Sequence, residues 1–157
     1  MIRGARVEDW PDVRALWSEI DDLHAMLAPD YFRAPIRHEE DWRRLLAVTS
    51  GAVLVAEAAR AGRRAEVVGV VLVRLYDTPP DPAMVPRRRA HVETLVVGRE
   101  HRRRGIGRDL MNEATAWARR HGAVELVLTV WDGNRDAQAF YERLGYRPLS
   151  RVLHTPT

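Results

Sequence analysis

The chain has 157 residues, enough for one domain, residues 1–157, with a real hydrophobic core. Its 46% hydrophobic and 30% charged residues describe a soluble globular class, and no apolar run reaches the length of a membrane span. The absence of cysteine excludes disulfides, thiolate metal sites and a cysteine nucleophile. All 25 basic side chains are arginine, which excludes Schiff-base chemistry, and the net charge of +3 weakly favours an anionic ligand.

Ile2–Arg6 reads as a short first strand, without the apolar stretch of a signal peptide, so a cytoplasmic protein is expected. Glu8–Ile20 carries Trp10, Val13, Leu16, Trp17 and Ile20 at helical spacing, with Pro11 tolerated in the first turn. Residues 21–35 are mixed and partly helical. Glu39–Val48 is patterned as a helix with Trp42, Leu45 and Leu46 on one side. Ala52–Ala58 is a strand, Ala61–Arg64 a hairpin turn and Val67–Tyr76 a long β-branched strand. The proline-bearing stretch 77–89 is irregular, because proline removes donors and fixes the backbone. Ala90–Val97 is the next strand. A glycine-bearing turn leads from it into a helix, Arg108–His121, which Gly122 is placed to end. Val124–Val130 is a strand and Arg135–Leu144 a helix with Asn134 as a cap. Gly145 closes that helix and Tyr146–Leu153 reads as a final strand. The order implies a mixed α/β (α+β) fold: one mostly antiparallel sheet with helices on its faces.

The most informative stretch is Arg102-Arg103-Arg104-Gly105-Ile106-Gly107, between a strand and a helix. The first N–H groups of a helix have no partner within it, and the peptide dipoles concentrate positive potential there. Gly105 and Gly107 allow close backbone approach, and arginine supplies forked donors suited to phosphate. The turn lacks the Gly-Lys-Ser/Thr of a Walker loop and the three spaced glycines of a dinucleotide fingerprint. An ordinary connection with a solvated basic face remains the alternative.

Three segments resemble the GNAT family, the Gcn5-related N-acetyltransferases. Arg102, Gly105 and Gly107 match its Gln/Arg-x-x-Gly-x-Gly/Ala signature, after the strand His91–Val97. Asn134 to Tyr146, with Ala137, Phe140, Tyr141 and Gly145, is similar to its Asn…Ala-x-x-Phe-Tyr-x-x-x-Gly-Phe element, and Ile2 to Asp9 to its first strand and turn. The resemblance implies a six- to seven-stranded sheet with a splayed gap between two central strands, the one ending at Val97 and the next, Val124–Val130. It also implies acetyl-CoA as acyl donor, a small-molecule or peptide primary amine as acceptor, and a homodimer, common among relatives. The diphosphate would lie on backbone N–H groups of Arg103, Arg104, Gly105, Ile106, Gly107 and Arg108, beside Arg102. The pantetheine arm would pair with the backbone of Leu95, Val96 and Val97, and Asn134 would hydrogen-bond the arm or the sulfur. Tyr141 would be the acid beside the CoA sulfur.

Acyl transfer to an amine also needs a base, and Glu93, directly or through water, is the first candidate; its position resembles that of the proposed glutamate in polyamine and thialysine acetyltransferases. A carboxylate in an apolar strand needs a reason to be there, and an arginine partner would be another. His91, on the same strand face and with a suitable ordinary pKa, is the second candidate. Without cysteine the transfer is expected to be direct, in a ternary complex. Asp21, Asp22, His24, Asp30, Tyr31 and Phe32 follow the first helix and are candidates for the acceptor pocket. No metal site is expected, since the histidines lack ligand spacing. The rival readings are a non-catalytic acyl-CoA-binding or interaction domain, and nucleic-acid binding through Arg87-Arg88-Arg89 and Arg102-Arg103-Arg104; no nucleic-acid or membrane partner is expected.

Overall fold

The computed structural model describes residues 1–59, 62 and 64–157. Five strands form one sheet: β1 (Ile2–Gly4), β2 (Gly51–Ala58), β3 (Glu66–Asp77), β4 (Arg88–Val97) and β5 (Glu125–Leu128), in spatial order β1-β2-β3-β4-β5. The first three pairings are antiparallel and β4–β5 is parallel. Helices α1 (Trp10–Leu27) and α2 (Glu39–Leu46) cover one face; α3 (Ile106–Arg120) and α4 (Arg135–Arg143) pack on the other.

The β-branched strands make this arrangement stable. On the α1 side Val53, Val55, Val70, Leu72 and Val96 pack on Val13, Leu16, Trp17 and Trp42. On the α3 side Val71, Val73, Ala90 and Val92 pack on Leu110, Met111, Ala114 and Ala118. Asp9 is the buried charged residue of the core. Arg3 grips its two carboxylate oxygens with two 2.8 Å bonds, and the Arg6 N–H adds a third. Burial alone would raise the Asp9 carboxyl, but these donors outweigh it and hold it below the ordinary range.

Both glycine stops are where the sequence puts them. Gly122 (φ +78°) and Gly145 (φ +88°) end α3 and α4, and the next N–H in each case reaches back five residues, Ala123 to Ala118 and Tyr146 to Tyr141. The first helix runs on to Leu27, taking in the first seven residues of the stretch expected to be partly helical. Of the hairpin turn expected at Ala61–Arg64, Ala61 and Arg63 lie outside the described residues.

Two expectations are corrected. The sheet has five strands, because Tyr146–Leu153 forms none; residues 147–157 are exposed and irregular. Pro148 lacks the N–H a ladder needs, and a four-residue β5 is a short template to pair with. The opening lies where the resemblance puts it, between β4 and the next strand, and β5 is the edge strand of the sheet rather than a central one. Pairing runs only from Arg89–Glu125 to Val92–Leu128, while β4 continues to Val97.

Candidate active site

β4 changes character where β5 leaves it. Leu72 pairs with Thr94 and Val73 with Val92, so Glu93 is the extra residue of a β-bulge. Beyond it, Gly98 donates its N–H to the Val68 carbonyl at 2.9 Å. Hydrogen-bonded and non-bonded pairs alternate along an antiparallel ladder. Val96 is therefore bonded to β3, while Leu95 and Val97 turn their main-chain groups to the side that β5 has vacated. Of the three residues expected to meet a ligand, two face the open side.

The turn after β4 passes through Arg99–His101, one turn of 3-10 helix, and enters α3 at Gly105. Gly105 has φ +85°, and Arg103 is a non-glycine residue at φ +64°. No side chain caps α3, so its first N–H groups are left for a ligand or solvent. Gly107 serves packing: a Cβ there would lie 3.2 Å from the Phe140 ring, so its absence lets α4 sit against the first turn of α3. The arginines divide. Arg102 donates through Nε to the Val97 carbonyl at 2.8 Å and through Nη2 to Glu19 at 3.0 Å. Arg103, Arg104 and Arg108 have no such partner among the described residues.

Tyr141 follows Phe140 on α4, with ring centroids 5.1 Å apart, and packs into the α3-side cluster beside Tyr146. Burial, with Tyr146 adding to it, pushes its phenol up to about 12. The hydroxyl is protonated throughout the physiological range and can act as a donor. Asn134 caps α4, its Oδ1 accepting the Ala137 N–H at 3.2 Å.

The candidate bases lie on the opposite face. Ala90 and Val92 point into the α3-side core, so His91 points to the α1 side. Its ring meets Tyr76 edge-on at 6.1 Å. The Tyr76 hydroxyl donates to Glu93 Oε1 at 2.7 Å, and Arg74 Nε stands 3.1 Å from Glu93 Oε2. Glu93 thus has both the arginine partner and a place beside His91. Arg74 and Tyr76 escaped sequence reading; the cross-strand register of β3 and β4 is the signal that would find them, and the bulge conceals it.

Of the acceptor-pocket candidates, Asp21 is bound to Arg37 by two bonds of 2.6 and 2.7 Å. His24 stacks on Phe32 at 4.9 Å, and Tyr31 and Phe32 meet Trp131, on the loop after β5, at 5.0 and 4.9 Å. Burial lowers the His24 imidazole below its ordinary value, against the pull of Asp21. The segment after α1 thus closes over the loop that leaves the β4–β5 opening. No group of three or more metal-ligating side chains occurs among the described residues.

The family model described as the acetyltransferase (GNAT) family matches residues 13–146. The chain belongs to the GNAT family. It is 26% identical to an aminoglycoside N(6')-acetyltransferase type 1 from Acinetobacter genomosp. 13, over 92% of this chain and 93% of that one. The structure of a tetramutant of the BH1408 protein from Bacillus halodurans superposes with a TM-score of 0.91 at 26% identity, covering 100% of this chain and 99% of that one. An aminoglycoside N-acetyltransferase AAC(6')-Iy solved in complex with CoA shares the fold, at a TM-score of 0.72 and 16% identity over 100% and 98% of the two chains. The chain spans 24% and 40% of the lengths of two further curated N-acetyltransferases that it matches over shorter segments. Within this GNAT fold Tyr141 packs on the α3 side of the sheet, and Glu93 and His91 lie on the α1 side.

Proposed function

We propose that the chain is an N-acetyltransferase that moves an acetyl group from acetyl-CoA directly to a primary amine. The diphosphate lies on the N–H groups of Arg103 to Arg108, where the helix dipole and three uncommitted guanidiniums favour an anion. The pantetheine arm runs along the main-chain groups of Leu95 and Val97. Tyr141 faces the departing sulfur. A thiol ordinarily ionises near ~8.5, well below a phenol at about 12. Tyr141 therefore acts first as a hydrogen-bond donor to the developing thiolate, since full proton transfer would be uphill. Glu93, steadied by Arg74 and Tyr76, accepts the amine proton directly or through water, with His91 the second candidate.

The observation that carries this reading is the run of free main-chain groups on β4 leading into the uncapped start of α3. Family membership and the CoA complex of a protein of the same fold support the donor. The acceptor reading rests on less: the aminoglycoside acetyltransferase among the relatives makes a small, amine-bearing molecule the first class to try. Nucleic-acid binding through Arg87 to Arg89 is disfavoured because these side chains are paired within the fold, Arg87 and Arg89 with Glu125 and Arg88 with Asp77. No helix among the described residues is long and apolar enough to cross a membrane.

The test is release of free thiol from acetyl-CoA with a panel of amines that includes aminoglycosides, small polyamines and peptide N-termini. Turnover with one class supports the reading. CoA binding without turnover on any amine would leave a non-catalytic acyl-CoA-binding domain.

A further inference from the structure

We infer that Glu19, on α1, is a positioning residue for the donor site: with Arg102 it forms a latch that holds the turn between β4 and α3 in shape. The inference rests on the donor site proposed above.

Glu19 Oε2 accepts Arg102 Nη2 at 3.0 Å and the Arg99 N–H at 3.1 Å. Arg102 Nε donates to the Val97 carbonyl at 2.8 Å. One ion pair therefore ties together α1, the end of β4, the 3-10 turn and the loop that precedes α3. Both of these donors on Arg102 are spent inside the protein, unlike those of Arg103, Arg104 and Arg108. The first member of the basic run, Arg102, holds the loop rather than a ligand.

The loop needs holding. Arg103, the next residue, has φ +64°. A side chain in that region is strained, and the conformation persists only where the flanking chain enforces it. On one flank the enforcement is α3; on the other it is the latch. The latch also occupies the Val97 carbonyl, which faces the open side. An unpaired carbonyl there would present negative potential to an anionic cofactor approaching the same edge. With Arg102 bonded to it, the edge offers the Val97 N–H and the main-chain groups of Leu95.

Two substitutions separate this role from a direct one. Glu19→Gln removes the charge at constant shape. Arg102→Lys keeps the positive charge but cannot reach Glu19 and the Val97 carbonyl together. CoA is titrated calorimetrically into the wild-type chain, both single variants and the double variant, with Tm recorded for each and KM measured separately for acetyl-CoA and the amine. The latch predicts a CoA Kd raised about fivefold in each single variant, the size expected for a partly exposed charge pair. It predicts a double variant no weaker than the singles, an unchanged amine KM, and Tm within about 2 °C of wild type. If Arg102 instead binds phosphate directly, Glu19→Gln frees it and CoA binds more tightly; that result, unchanged binding, or additive losses in the double variant would overturn the latch. A wild-type chain that binds no CoA would remove the donor site and the latch together, whereas normal wild-type binding with unaffected variants removes the latch alone.

Discussion

The two faces of the sheet are built differently at the opening between β4 and β5. On the α3 side the proposed donor site is mostly main chain: the open groups of Leu95, the Val97 N–H and the uncapped start of α3. On the α1 side the proposed base is a side chain fixed by two others, Arg74 and Tyr76, from the neighbouring strand. Main-chain recognition depends on backbone shape and tolerates many side chains. A side-chain cluster depends on identity and register. The donor site should therefore resist substitution except at glycine, at Tyr141 and at the Glu19–Arg102 pair, and the acceptor side should be sensitive at each member.

The largest effect is expected at Tyr141. Tyr141→Phe should lower kcat by about 10²-fold with Tm little changed, since only a hydroxyl is lost. Steady-state kinetics beside a thermal melt checks this, and full activity would remove Tyr141 from the chemistry. Glu93→Gln should lower kcat by roughly 10-fold or more near neutral pH. The deficit should shrink as pH rises and the amine deprotonates unaided; a constant deficit across the pH profile would point to positioning, and a larger loss in His91→Gln would exchange the two roles. Gly107→Ala should be milder. Its methyl meets the Phe140 ring at 3.2 Å, so stability should fall by roughly 1 kcal/mol. KM for acetyl-CoA should rise more than kcat falls.

The smallest effect on activity is expected far from the opening, at Asp9. Its carboxyl is held below the ordinary range by Arg3 and the Arg6 N–H against the cost of burial. A depressed value in the folded state gives stability that is present above the unfolded value, ~3.9, and lost as pH falls through the folded one. Asp9→Asn should flatten the acid side of the stability curve. Arg3→Met should cost about 3 kcal/mol or more by stranding a buried carboxylate, with kcat unchanged in folded protein.

The same contrast explains what could be read in advance. Local signals carried well: Gly122 and Gly145 stop their helices because only the chain's own φ is at stake, and Asn134 caps α4 because its partner, Ala137, is three residues away. The left-handed turn at Gly105 that opens α3 is local too. What depended on distant register did not carry. The bulge at Glu93 is a property of the β3–β4 pair, so Arg74 and Tyr76 went unseen. Glu19 reaches Arg102 across 83 positions of sequence. Tyr146–Leu153 has the apolar content of a strand, yet nothing in its own residues shows that β5 is only four residues long.

The proposed chemistry depends on where CoA sits, which amide chemical shifts recorded during a CoA titration report residue by residue. Perturbations concentrated at Leu95, Val97 and Arg103 to Arg108, saturating together, are expected. Shifts confined to other surfaces, or none at all, would contradict the proposed donor site.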